Sequence, residues 1–477
     1  MPRPAPPAGP PGTVVVVGAG IAGLTVAFEI LERGERLAAR PRVSVLEAAE
    51  RAGGNIRTER VDGFLCEAGP TGFLDNAPAT LTLARRLGLR ERLRRADEAS
   101  AQRYVFRAGR LHRVPTGARD FLSTGVLSRR AKLRLLLEPF AGRAPAGDES
   151  VHAFATRRIG RSAADVLVDA MVAGVYAGDS RRLSLEATFP KMHAMEREHG
   201  SLFRALLARR RAADAESTPG GPAGPGGTLT SFDGGFAELT DALARELGER
   251  VRLGCRVSRV VPLGQRGFRV LPSSGAPIEA DAVVIACPAW DAAPMLADAD
   301  AELGRVLGEI GTVPLAVVHT GFRTLALGDQ PRGFGFLVPR GQGLRMLGTL
   351  WPSQIFPGRA PDAASLLTTM VGGAHDPTAV DLDDKKLLAL VRTELQAVMG
   401  FTVQPYMTRI IRWSRSIPQY TIGHPERLRA LSHRTAEHGG LFLTGNSYRG
   451  VSVNSCVEDG AKTAESVLDF LATRTTS

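Results

Sequence analysis

Three glycines and one acid carry the most telling chemistry in this chain. Gly18, Gly20 and Gly23 stand in G-x-G-x-x-G spacing, and Glu47 follows 24 residues after Gly23. Gly18 suits a tight turn, Gly20 lets a pyrophosphate approach the backbone, and Gly23 lets a helix pack closely on a strand. Ala19, Ile21 and Ala22 fill the spaces between them, so the backbone N–H groups at the helix start can face the phosphates. Glu47 stands where a carboxylate can take the ribose hydroxyls of a dinucleotide. The elements that must position these residues can be read around them. Residues 14–17 are four valines, a buried strand. An apolar helix starts near Ile21, and residues 42–46 (RVSVL) form a second strand ending at Glu47. A glycine-rich turn without a ligand is the alternative, and the order strand, helix, strand, acid argues against it. No Ser/His/Asp or His/Asp constellation is evident, so no side chain is assigned as a catalytic acid, base or nucleophile.

Further segments narrow the ligand. Residues 47–58 read EAAERAGGNIRT, residues 66–73 CEAGPTGF, residues 441–446 LFLTGN and residues 450–457 GVSVNSCV. Together they resemble the amine-oxidase-type flavoproteins, with their R-x-G-G-R-x-x-T/S and E-x-G-P runs. The resemblance implies FAD. It assigns to the cofactor Gly18, Ala19, Gly20, Ile21, Ala22, Gly23, Glu47, Ala48, Arg51, Gly54, Asn55, Gly69, Pro70, Thr71, Gly72 and Gly445. It also implies a helix N-terminus at Val451, Ser452 and Val453 facing the flavin's pyrimidine edge. Val257 is implied beside adenine, Ala286 at the end of the closing strand, and Trp413 near the flavin. Asn55 stands where many members have Arg, and Ser452 and Ser455 where Gly and Asp are commoner.

Length and composition bound the rest. The 477 residues suffice for two or three domains. No apolar run is long enough to span a bilayer, and the Pro-rich start shows no signal-peptide pattern, so an intracellular protein is expected. Four scattered cysteines read as reduced core thiols. The nine histidines show no ligand spacing, and no metal is expected; His193 and His199 read as surface residues. The net charge of +11 suits either an anionic partner or a generally solvated basic surface. No nucleic-acid motif is present.

Along the chain the expected fold is α/β. A discontinuous Rossmann-like FAD-binding domain (residues 1–100, 216–300 and 406–477) accompanies a mainly antiparallel substrate domain (101–114 and 301–405). A helical, membrane-associating domain spans 115–215. Residues 104–106 and 111–114 form a hairpin about Ala108-Gly109. Residues 218–228 are a Pro/Gly-rich loop. Residues 251–257 read as one strand, and residues 232–236 open a helix to Leu247. Leu127, Leu133, Leu136, Leu137 and Phe140 lie beside Arg129, Arg130, Lys132 and Arg134. That mixture suits a membrane-interface helix or an ordinary packed one.

Four more segments, QRYV at 102–105, GVYAGD at 174–179, GFGFLVP at 333–339 and IPQY at 417–420, make the chain resemble the oxygen-dependent protoporphyrinogen oxidases over residues 14–471. This implies FAD-dependent oxidation of a porphyrinogen, with oxygen as acceptor and peroxide as product. Arg103 would pair with a propionate, for which a planar fork is suited. Phe334, Leu337, Leu350 and Met370 would wall the macrocycle, or be plain sheet core, with Gly174 allowing close approach. Tyr176 and Trp413 would stack near substrate and flavin, or simply pack. Coproporphyrinogen III is the alternative substrate; a flavin amine oxidase, a desaturase and a flavin-binding regulator are alternative classes. The expected partners are a tetrapyrrole, oxygen, a membrane surface, ferrochelatase and a second copy in a homodimer. The expected place is the cytoplasm, on the inner face of the cell membrane.

Overall fold

Four consecutive valines favour a strand buried on both faces, and the strand Thr13–Val17 lies at the centre of a parallel sheet. The computed structural model describes residues 12–35, 40–115, 117–142, 147–213 and 227–475. The first sheet runs in the order Val251–Arg252, Arg42–Leu46, Thr13–Val17, Ala282–Ile285 and Leu441–Leu443. Its strands come from both ends and the middle of the chain. The helices Ile21–Gly34, Glu238–Leu247 and Val453–Thr475 cover one face, and Ala289–Leu296 packs on the other.

The second sheet has seven strands, in the order Met407–Pro418, Thr312–Arg323, Ala364–Gly372, Met346–Leu350, Gly335–Leu337, Arg103–Arg107 and Arg110–Arg113. All neighbours are antiparallel except Gly335–Leu337 with Arg103–Arg107. The helix Asp384–Met399 covers one face with Leu387, Val391 and Leu395. The other face looks towards the first domain and towards a helical segment at residues 118–213.

Three expectations change. Residues 251–257 are not one strand. Gly254 takes φ +63°, and the turn sends Val251–Arg252 into the first sheet and Val257–Pro262 into a separate three-stranded sheet. The helix expected to open at 232–236 begins at Glu238, because Leu229–Phe232 pairs with Phe73–Leu74 and Leu93–Arg95. The second sheet continues past residue 405, since Met407–Pro418 pairs with Thr312–Arg323 along its length. The Pro/Gly-rich segment at 218–228 lies outside the described residues except for 227 and 228, and the Pro-rich start lies outside them up to residue 11.

Candidate active site

A cavity of about 850 Å³ lies where the two sheets meet. That is the upper range of small-molecule sites. At its first end, the turn after Thr13–Val17 is shaped by backbone. Gly18 takes φ +106°, and a Cβ on Gly23 would lie 2.0 Å from the Gly18 carbonyl oxygen. Gly20 faces open space within the cavity and forms a bridge with Gly53. Ala19 donates its N–H to Glu47 at 2.7 Å, and Ala49 donates to the other carboxylate oxygen at 2.8 Å. Glu47 therefore ties the glycine turn to the end of the next strand while lining the cavity.

The Arg51 guanidinium does not reach the cavity. It folds back to donate to the carbonyls of Ala52, Ile56 and Gly54, and so clamps the double-glycine loop. Ala19, Gly23, Gly72 and Ser452 also stand behind the lining. Gly72 presses on the Thr230 carbonyl, with a built Cβ 2.4 Å from it. Ser452 accepts from the Ser455 N–H at 3.1 Å and caps the last helix, which begins at Val453. Ile21, Ala22, Ala48, Gly54, Asn55, Gly69, Pro70, Thr71, Val257, Ala286, Trp413, Gly445, Val451 and Val453 line the cavity with Gly18, Gly20 and Glu47.

Polar groups hold the segment that passes between the sheets. Glu67 accepts from Thr58 Oγ1 at 2.6 Å and the Phe236 N–H at 2.8 Å, and pairs with Arg359 at 3.1 Å. Burial pushes its carboxyl up, and Arg359 opposes this. Trp413 donates Nε1–H to the Ala68 carbonyl at 2.8 Å. Tyr420 donates to the Asn446 carbonyl and accepts from Gly450, pinning the turn before the last helix. Tyr176 lies in the core rather than at the cavity. Its hydroxyl donates to the Thr188 carbonyl at 2.9 Å, and its ring packs edge-on to Phe189 and Tyr420. All four cysteines are free; burial pushes Cys287 and Cys456, both lining the cavity, up to about 12, so they stay thiols.

The second sheet supplies the other wall. Gly174, Leu350 and Met370 line the cavity; Arg103, Phe334 and Leu337, expected beside them, are not part of its lining. Leu337 packs on Gly174, where a Cβ would be 2.8 Å from Cδ2. Arg103 lies over the Phe334 ring at 5.0 Å. Burial lowers the affinity of Arg103 for its proton but leaves it a cation. The register places Arg103, Gly335, Leu350, Thr368 and His319 in one row across five adjacent strands. Leu315, Val317, Thr368 and Ser416 line this half without having been singled out from sequence, together with Ile417 of the IPQY segment. Leu315 and Val317 were findable as alternate positions of one strand. Thr368 was not, because its neighbours in the row lie far away in sequence.

The family model for flavin-containing amine oxidoreductases matches residues 21–468. The chain belongs to that family. It is 30% identical over 96% of its length to the coproporphyrinogen III oxidase of Bacillus subtilis, covering 98% of that protein. It is 32% identical, over 96% of its own length and 86% of the other's, to a chloroplastic protoporphyrinogen oxidase of Nicotiana tabacum. A crystal structure described as a candidate protoporphyrinogen oxidase from Exiguobacterium superposes with a TM-score of 0.81. It is 27% identical and covers 96% of this chain and 98% of that one.

As a flavin-containing oxidoreductase the protein uses FAD, and its residues fit that group. The open cradle at Gly20, the Ile21 helix N-terminus and the Glu47 carboxylate suit a pyrophosphate and a ribose. Val257 lines the cavity as well. Ala68, Gly69, Pro70 and Trp413 offer a wall that would suit a flat ring, and Val451 and Val453 bring a helix N-terminus to the cavity.

Proposed function

We propose that this chain oxidises protoporphyrinogen IX to protoporphyrin IX, with O2 as the electron acceptor and peroxide as the second product. The observation that carries the reading is the continuity of the cavity. A dinucleotide cleft opens into an apolar slot between Gly174–Val175 and the sheet face bearing Leu350 and Met370, and Arg103 lies two strands along from Leu350. When bound, FAD accepts hydride from the substrate and returns reducing equivalents to oxygen. The chain's own residues orient a flat apolar ring, exclude water around it and hold a carboxylate at its rim. Coproporphyrinogen III is the second reading, favoured by the curated relative that bears its name and by Arg332 just before the strand Gly335–Leu337. The test is anaerobic mixing of the purified holoenzyme with each porphyrinogen while flavin absorbance is followed. Faster bleaching by protoporphyrinogen IX supports the main reading, and faster bleaching by coproporphyrinogen III replaces it. Bleaching by neither, with reduction by an amine, moves the chain to the amine oxidases.

The proposal extends to peripheral association with the inner face of the cell membrane. Leu133, Leu136, Leu137 and Phe140 are exposed, Phe140 by 81%. The buried Glu138 carboxylate accepts from Ser201 Oγ and from the N–H groups of Leu202 and Phe203. That contact sets the exposed Phe203, Leu206 and Leu207 beside the first group. Arg129 and Arg130 are exposed at the start of the patch. Arg134 turns inward instead, to the carbonyls of Arg157 and Arg158. Among the described residues no helix is long and apolar enough to cross a membrane.

A further inference from the structure

Thr368 is a polar group set among apolar floor residues of the second sheet. Its row neighbour on one side is Leu350, and Met370, two residues on, points the same way. Its neighbour on the other side is His319, which is fully buried. The two side chains are bonded, His319 Nδ1 to Thr368 Oγ1, at 2.9 Å. The other ring nitrogen, Nε2, is buried and makes no hydrogen bond among the described residues, although the nearby Glu67 backbone raises the ring's affinity for its proton. Desolvation pushes His319 down to about 4, so the ring is neutral near pH 7. A neutral ring with its proton on Nε2 has only a lone pair at Nδ1. In that tautomer Thr368 donates its single hydroxyl proton to His319. What the hydroxyl can show the cavity is acceptor only.

An acceptor under an apolar slot selects for a ligand that is flat, greasy and an N–H or O–H donor near its centre. A porphyrinogen is such a ligand, since its four pyrrole nitrogens all carry hydrogen. The row supplies the spacing as well. Arg103 and Thr368 are three strand steps apart, about 14 Å at the usual strand separation. Gly335 lies between them and leaves the row without a side chain there. One end of the row thus suits a rim carboxylate and the other an interior N–H donor.

We propose that Thr368 is a positioning and recognition residue that accepts a hydrogen bond from a pyrrole N–H of the substrate, and that His319 acts through it by fixing the direction of the hydroxyl. The inference rests on the porphyrinogen reading above. It adds the group that reads the interior of the macrocycle, where Arg103 reads its edge. It also gives a reason for the cavity to reject an apolar polyene of similar size, which would leave the hydroxyl unsatisfied.

The experiment uses the FAD-loaded protein and anaerobic flavin bleaching by protoporphyrinogen IX at varied concentration, which separates the dissociation constant from the limiting rate. Thr368→Val keeps the shape and removes the acceptor. It is expected to raise the dissociation constant about fivefold, the effect of one neutral hydrogen bond, while flavin content and flavin spectrum stay as in the wild type and the melting temperature falls because the buried imidazole loses its partner. Thr368→Ser restores the acceptor and should recover most of the binding. His319→Phe frees the hydroxyl to turn and should give a smaller loss in the same direction. Wild-type constants in Thr368→Val overturn the inference alone, leaving the hydroxyl as a sheet contact. An equal loss in Thr368→Ser also overturns it, because packing rather than the acceptor would then decide. If the wild-type flavin is reduced by neither porphyrinogen, the functional reading falls and takes this inference with it.

Discussion

At the Gly18–Gly23 turn the cavity wall is backbone, and the sequence tolerates almost nothing there. A Cβ at Gly23 meets a carbonyl oxygen at 2.0 Å, and one at Gly18 meets the Cys287 nitrogen at 2.9 Å. Across the second sheet the wall is side chain. Leu350, Thr368 and Met370 project from strands whose own backbones are satisfied in a ladder. The difference has a physical cause. Phosphates are held by N–H groups that every residue carries, so the site is made by removing side chains. A flat apolar ring is held by area and shape, so its site is made by choosing them. Changes to the first half should abolish binding outright, and changes to the second should grade it.

Two glycines test the first half, with the largest effects expected. Gly23→Ala must move a helix away from its strand. It should cost about 3 kcal/mol or more in stability and leave little bound flavin. Gly20→Ala places its methyl in open space, so the apoprotein should keep its melting temperature while the cleft loses FAD. Flavin absorbance per protein and thermal unfolding of both apoproteins separate the two. If Gly20→Ala binds FAD as well as the wild type, this half is not built by backbone approach.

A pair of buried histidines gives the next effect, one on each side of the comparison. His319 lies in the floor of the second sheet. His424 stacks on Tyr420 at 4.1 Å and donates from Nε2 to the Tyr448 carbonyl at 3.0 Å. Burial pushes both down to about 4. In the unfolded chain each takes up its proton near 6.5, so between these values the unfolded state binds more protons. Stability present at neutral pH is therefore lost as pH falls from about 6.5 towards 4, by roughly 3 kcal/mol for each histidine. Urea unfolding at pH 7.5 and 5 should show the loss, and His319→Asn and His424→Asn should each flatten it. An unchanged pH dependence in both variants would assign the acid sensitivity to other groups.

How far the sequence alone reaches follows the same division. The first strand, its helix, the second strand and Glu47 were all legible, because a local motif must obey local backbone geometry. The strands of the second sheet were legible as strands, from their β-branched and alternating residues. Their order was not. Arg103, Leu350 and Thr368 share a row only because segments from residues 103 to 368 pair in a particular register, which no short window contains. Arg51 shows the converse failure. Its motif marks it as a cofactor residue, yet its guanidinium holds the Gly53–Gly54 loop from behind. Tyr176 likewise sits in a motif but packs in the core.

Arg103 tests the graded half. If it holds a rim carboxylate, Arg103→Ala should raise KM for protoporphyrinogen IX by a factor matching about 2 kcal/mol, with FAD content unchanged. Arg103→Lys should recover part of this, since a point charge replaces the fork incompletely. The limiting rate should change less than KM, because the contact lies at the ring's periphery. Unchanged kinetics would leave the sheet face recognising a flat apolar body by shape alone.

The exposed patch at residues 133–140 and 203–207 is a third kind of wall, side chain without a covering element among the described residues, and it should matter least to chemistry. The holoenzyme should sediment with anionic vesicles, and rising salt should weaken this as the contribution of Arg129 and Arg130 is screened. Each arginine is worth about 1 kcal/mol near such a surface, so Arg129→Ala should have a small effect. Phe140→Asp should have a larger one, because it removes a ring that is 81% exposed and so adds little to the core. Flavin bleaching by porphyrinogen in detergent-free solution should be unchanged in both variants. That separation follows from the geometry, since neither residue lines the cavity. If neither anionic nor neutral vesicles bind the protein, the patch does not meet lipid. If Phe140→Asp slows bleaching in solution, the patch is coupled to the slot through the helix Asp169–Tyr176 that carries Gly174, and the three walls are not independent.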